Sequence, residues 1–144
     1  MRSVSPFRPL PPDPTNLDRD DPLSRMAAVT LARELVAVAW EDAEKLASNT
    51  ITEKIAGQLY ASLGSILANL GEGYSRSSGR DRAKIFEYAL GSVRESMMWY
   101  RTATKVLGQK LVDDRLVKLE QIRRLLLAII PRERTKLIRP KTDK

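Results

Sequence analysis

The sequence predicts an all-α chain, an antiparallel up-down four-helix bundle over residues 23–131 that assembles as a homo-oligomer. Three observations carry this. Apolar residues recur at spacings of three and four through four separate stretches, the period of a helix with one buried face. No stretch alternates apolar and polar residues as a strand does. The polar breaks are short, which makes consecutive helices antiparallel neighbours. A chain of 144 residues suits one domain with one core.

Residues 1–22 hold six of the eight prolines. Proline fixes φ and removes a donor, so this segment is expected to be a flexible or extended arm. The first helix is expected over 24–47, with Ser24 as its cap. Val29, Ala32, Val36, Ala39, Trp40 and Ala43 form its apolar face, with Trp40 as a core or interface anchor. Ser48, Asn49 and Thr50 interrupt the pattern, and Asn49 or Thr50 suits the cap of a second helix over 51–72. There Ile55, Leu59, Leu63, Ile66 and Leu70 mark the buried side. Gly57 and Gly64 lie inside this helix, each at a cost of about 1 kcal/mol against Ala, which suggests close helix approach. Gly73 suits a left-handed cap.

A third helix follows the polar loop 74–79 and reaches about residue 107, burying Ile85, Ala89, Val93, Met97, Tyr100 and Leu107. Phe86 and Leu90 widen its stripe, and Gly108 stops it. Asp113 or Asp114 starts the fourth helix, whose inner face is Leu116, Leu119, Ile122, Leu126 and Ile129, and Pro131 closes it. Residues 132–144 form a basic flexible tail. Met98, Trp99 and the run 125–127 exceed what one bundle can bury, which is the reason to expect self-association.

Composition removes several function classes. Without cysteine there are no disulfides, thiolate metal sites or cysteine nucleophiles. Without histidine the chain lacks the side chain best suited to proton transfer near neutral pH and the commonest metal ligand. A binding protein is therefore expected rather than an enzyme, with no cofactor and no metal. No apolar run approaches the roughly 20 residues that span a bilayer. No secretion signal is visible at the N-terminus, so a cytoplasmic location is expected.

The formal charge is +7, unevenly spread. Residues 1–75 hold seven Lys/Arg against ten Asp/Glu, and residues 76–144 hold eighteen against eight. The halves carry −3 and +10. A basic second half invites a polyanion; the plain alternative is a solvated surface. Arg76, Arg80, Arg82 and Lys84 flank the start of the third helix, where free backbone N–H groups favour an anion. Arg115, Lys118, Arg123 and Arg124 lie on the fourth helix, and Arg132, Arg134, Lys136, Arg139 and Lys141 continue into the tail. Together they are the candidate phosphate contacts. Asn69, Glu72, Ser92 and Glu95, with Arg76, are expected to form a structural polar network between the second and third helices. A carboxylate pair such as Glu72 and Glu95, lacking metal or histidine, is a poor hydrolase signal.

The run 58–73 carries a resemblance. It resembles the second-helix signature of the four-helix-bundle family of ribosomal-RNA intervening-sequence proteins at Gln58, Leu59, Ser65, Ile66, Asn69, Glu72 and Gly73. Arg76 and Ser78 sit at the family's loop positions, and Phe86, Ala89, Gly91, Ser92 and Glu95 are similar to its next helix. The resemblance implies a basic bundle assembled as a ring, typically a pentamer. A related branch is the accessory variability protein of diversity-generating retroelements, which binds nucleic acid and associates with a reverse transcriptase. The family's paired arginines fall here on Tyr60 and Ala61, and its proline on Leu67. Polyanion binding would therefore rest on Arg76–Lys84, the fourth helix and the tail. The leading expectation is an oligomeric protein that binds RNA or DNA through phosphates, with a reverse transcriptase as a further partner and no membrane. The alternative is a protein-interaction module that docks through apolar helix faces.

Overall fold

The structure, a computed structural model, describes residues 9–15, 17 and 21–136. All its regular structure is helical among these residues. A 3-10 turn, Pro22–Arg25, precedes α1 (Ala27–Ala47), α2 (Glu53–Ser75), α3 (Gly79–Thr102), the single turn α4 (Thr104–Leu107) and α5 (Gln109–Arg134). Helix α1 packs on α2 and α5, α2 on α3, and α3 on α5. Each long helix thus has two long neighbours.

The chain enters at Asp21, whose carboxylate accepts from the Leu23 N–H at 2.9 Å. Asp21 therefore caps the 3-10 turn, and Ser24, contrary to expectation, does not cap the first long helix. The latter lies within the 3-10 turn, and its hydroxyl accepts from Arg33 Nη1 at 3.2 Å. Helix α1 begins after Met26 without a side-chain cap. Its buried stripe is Val29, Ala32, Leu35, Ala39, Asp42 and Leu46. That stripe is turned about one position from the expected one. Trp40 follows Ala39 by roughly 100°, so it is swung outward and is 57% exposed. It is not a core anchor of this chain. Val36 and Ala43 only flank the core.

Asn49 closes the α1–α2 turn by accepting from the Ile51 N–H at 2.9 Å, and α2 begins two residues later than expected. Thr52 donates to the Leu46 carbonyl at 2.7 Å and satisfies an orphan acceptor at the end of α1. Leu59, Leu63, Ile66 and Leu70 are fully buried. The glycines behave differently from expectation. A Cβ at Gly57 or Gly64 would meet nothing within 4 Å, so neither marks a close approach within the chain. Close approach occurs instead at Gly73, where a Cβ would stand 2.7 Å from the Phe86 ring. It occurs again at Gly79, where a Cβ would run into the Glu133 carbonyl oxygen. Gly73 is no left-handed cap. The one positive φ among the described residues belongs to Gly108, at 87°.

Ser78 caps α3 by accepting from the Asp81 N–H at 3.1 Å. Phe86, Ala89, Val93 and Tyr100 point into the core. The helix breaks at Ala103, and Gly108 ends α4 as its residue type foretells. Helix α5 starts at Gln109, directly after Gly108, rather than at Asp113 or Asp114. Those aspartates lie inside the helix, where Asp114 pairs with Arg115. Val112, Leu119, Ile122, Leu126 and Ile130 are its buried face. Pro131 does not close the helix, which runs one further turn to Arg134. Pro131 has no N–H to donate to the Leu127 carbonyl, so the helix continues through it with one ladder bond missing. The buried Glu133 and its contact with Gly79 hold that last turn against α3.

Candidate nucleic-acid interface

Two of the thirteen candidate phosphate contacts lie unpaired on the first turns of α3. Arg80 and Lys84 are exposed and form no ion pair among the described residues. With Asp81, Glu87 and Arg134 they line a polar hollow of about 400 Å³ between the start of α3 and the end of α5. The geometry follows from the packing already described. Gly79 abuts Glu133, so the N-terminal turn of α3, with its positive dipole end, meets the cationic C-terminal turn of α5. Arg134 reaches across to Glu87 as an ion pair.

Arg82 faces inward from the same turn. Its guanidinium lies 5.2 Å from the Tyr74 ring centre, a cation–π distance. Its Nε is 3.7 Å from Glu133 Oε2, and neither atom has a hydrogen-bond partner. Lys136 Nζ donates to the other oxygen of Glu133 at 2.6 Å. Two cations thus neutralise one buried carboxylate, which ties α3 to the end of α5. Arg76 pairs with Glu72 one turn below at 2.5 Å, an exposed contact that competes weakly with other anions. Arg132 is exposed without an ion partner among the described residues and borders a different hollow, beside Met26 and Ile129.

The cations of α5 fare differently. Arg115 is not available to a polyanion. Its Nε donates to Asp42 Oδ2 at 2.9 Å, its Nη2 to Oδ1 at 3.3 Å, and its Nη1 to Asp114 at 2.6 Å. The Tyr100 hydroxyl donates to the same Asp42 oxygen at 2.7 Å. Asp42 is fully buried, so α1, α3 and α5 are joined through one carboxylate. The Asp42 hydrogen bonds hold the Arg115 guanidinium above its ordinary range. Burial pushes the Tyr100 phenol up, with the neighbouring Asp42 carboxylate adding to the effect. Further along α5, Arg123 binds Glu120 through two bonds of 2.7 Å, and Arg124 joins at 3.1 Å. Held chiefly by Arg123, Glu120 is lowered to about 2. Lys118 lies 3.7 Å from Asp114.

The expected network of Asn69, Glu72, Ser92 and Glu95 does not assemble. Glu72 bonds to Arg76, and Glu95 accepts from Trp99 Nε1 at 3.2 Å, each within its own helix. That bond and partial core contact account for Trp99, which had been expected as surplus surface. Ser92 contributes only its carbonyl, to Ser96 at 2.8 Å. The buried polar contact between α2 and α3 is instead Ser62 with Ser96, whose hydroxyls lie 2.8 Å apart. Asp42 and Glu133 were not singled out in the sequence. Each continues an apolar stripe, Asp42 between Ala39 and Leu46, Glu133 after Ile130, and that position is the signal for a buried, paired acid. Arg139 and Lys141 lie outside the described residues.

Among the described residues no group of three or more His, Cys, Asp or Glu side chains could hold a metal ion. No described helix is long and apolar enough to cross a membrane. Comparison with curated proteins and with solved structures finds no match. A family model described as 23S rRNA-intervening sequence protein matches residues 25–128, from the end of the 3-10 turn through most of α5. That span includes the run 58–95, whose motif carries the resemblance in the sequence, and the chain belongs to the 23S rRNA-intervening sequence protein family.

Proposed function

We propose that this chain is a non-enzymatic, cytoplasmic, homo-oligomeric protein that binds RNA or DNA through phosphate contacts at the α3–α5 end. In this reading the four long helices form an antiparallel up-down bundle, copies of which assemble as a ring, as the family resemblance implies, with five copies. The carrying observation is the hollow where unpaired Arg80 and Lys84 meet Arg134 beside the N-terminal turn of α3. Phosphate contacts of this kind position a nucleic acid without reading its sequence. The family's name, which joins its members to 23S rRNA intervening sequences, agrees with a nucleic-acid partner.

The test is a salt titration of binding to labelled single-stranded and duplex RNA and DNA. Binding is expected to weaken steeply with salt, by about 0.7 to 0.9 in log–log slope per phosphate contact. The double variant R80Q/K84Q is expected to lower that slope by about 1.4 to 1.8. R123Q/R124Q is expected to change it less, because Glu120 already engages both side chains. A well-folded protein that binds none of the four probes at low salt overturns the reading.

A second reading rests on apolar surface. Met98 and Val117 are more than half exposed, and Leu125 and Leu127 are also exposed. Such a face suits docking on a protein, for which we propose a reverse transcriptase of the retroelement type. Capture of that enzyme in a salt-insensitive complex supports this reading, and loss of the complex on adding salt opposes it.

A further inference from the structure

Helix α3 carries four aromatic side chains, and one of them has no partner. Phe86 and Tyr100 are fully buried, and Trp99 donates to Glu95. Tyr88 is 52% exposed, and no ring, cation or hydrogen bond engages it among the described residues. It stands on the face that carries the unpaired Arg80 and Lys84. Residues four apart are neighbours on a helix, so Arg80, Lys84 and Tyr88 form one exposed row. Helical side chains lean toward the N-terminal end, which brings the Tyr88 ring toward Lys84 and the hollow that Lys84 lines. On the other side of Tyr88, one turn further along, is Gly91. It is exposed, and a Cβ there would meet nothing within 4 Å, so the ring is open on that side. The acids between Arg80 and Tyr88 are Asp81 and Glu87, and Arg134 pairs with Glu87. Two free cations and a free ring therefore face one unpaired carboxylate.

Cations beside an exposed ring are the combination that holds a single strand. The cations track its phosphates, and its bases stack on the ring. Bases in a duplex already stack on one another and show only their edges in the grooves. A ring on the convex surface of a helix meets no base face there. The row from Arg80 to Tyr88 is about 12 Å long at 1.5 Å per residue, or about three to four nucleotide steps of 3.4 Å. One short strand can therefore lay phosphates on Arg80 and Lys84 and a base on Tyr88.

We propose that Tyr88 is a stacking platform for an unpaired nucleobase, and that the nucleic acid taken at the α3–α5 end is single-stranded. This rests on the phosphate-binding reading above and adds the class of its ligand. The test titrates the full chain with a short single-stranded RNA that carries one 2-aminopurine, and with the same strand in a duplex. The wild type is expected to bind the single strand more tightly than the duplex and to quench the 2-aminopurine. Y88A is expected to weaken single-strand binding by about 5- to 150-fold, the worth of one stacked base, and to abolish the quenching. Its duplex affinity and its salt slope are expected to stay at wild-type values, because no charge is removed. Y88F keeps the ring and is expected to retain both affinity and quenching. Tyr88 lies outside the buried set, so both variants are expected to keep the wild-type helical circular dichroism. Equal single-strand binding by wild type and Y88A, with the same steep salt slope, overturns stacking and leaves the phosphate contacts standing. Parallel losses on single strand and duplex, or a wild type that prefers the duplex, also overturn it. A wild type that binds no probe at low salt overturns both readings together.

Discussion

Asp42 is the residue on which most of the polar interior depends. It is fully buried, and it accepts from Tyr100 and Arg115, so two helices lose their polar partner if it is removed. Removing one member of a buried ion pair strands the other charge away from water, a loss of about 3 kcal/mol or more. D42A is therefore expected to lower the urea midpoint sharply, with the slope of the transition unchanged. Y100F removes a single neutral donor to a carboxylate that keeps Arg115, and is expected to lose less, about 1.5 to 3 kcal/mol. Equal losses in the two variants would show that Arg115 finds other partners. The sequence carried half of this arrangement. Tyr100 was legible as core from its spacing, but Arg115 read as one more surface cation because its partner lies 73 residues away. An acid on an apolar stripe is the local sign of such a pair, and the cation that answers it is fixed only by tertiary packing.

At the scale of elements, the helix periods were legible and the contacts between helices were not. Leu59, Leu63, Ile66 and Leu70 fall on the buried side as their spacing requires, because periodicity is a property of one helix. Whether a glycine serves close packing depends on the neighbouring helix, which is why Gly57 and Gly64 misled and Gly79 went unnoticed. The two kinds separate by substitution. G64A fills open space and gains helix propensity, so a stability increase of up to about 1 kcal/mol is expected. G79A sets a methyl against the backbone of Glu133, which cannot turn aside as a flexible side chain can. It is expected to destabilise the protein and to detach the end of α5, with faster amide exchange after Ile130 than in G64A. Helix α5 also carries a pH dependence. Glu120 is held near 2 by Arg123 and then Arg124, below its unfolded value of 4.5. A lowered folded value means stability that is present above 4.5 and is lost as pH falls toward 2. Wild type and E120Q are therefore expected to differ in Tm at pH 6 and to converge near pH 2. The difference is small, since these pairs lie near solvent.

For the whole molecule, the division of charge and the excess of apolar surface make separate demands. In the basic half Arg80, Lys84 and Arg132, near the start of α3 and the end of α5, form no ion pair among the described residues. Arg94, Arg101, Lys105 and Lys110 form none further away, and much of the remaining charge is matched by Asp42, Asp114, Glu120 and Glu133. The net of +10 over residues 76–144 already subtracts Asp114, Glu120 and Glu133, and Asp42 and Glu72 from the first half neutralise two further cations, Arg115 and Arg76. Apolar surface is less well compensated. Leu125 and Leu127 lie outside the core on α5, and Met98 is 60% exposed on α3. One chain of this size has no further helix to place over them, so a second copy is the simplest cover. Sedimentation is expected to give a mass that is a multiple of 16.2 kDa. L125Q/L127Q is expected to reduce that multiple while leaving the helical circular dichroism intact, because neither side chain belongs to the buried set. If that variant keeps the wild-type mass, association runs through another face. A wild-type mass of one chain would instead leave the α5 surface to a different protein. The result also bears on nucleic-acid binding. Copies joined through α5 each present an α3–α5 end, so lowering the mass is expected to weaken binding to long RNA more than to an oligonucleotide that spans one site.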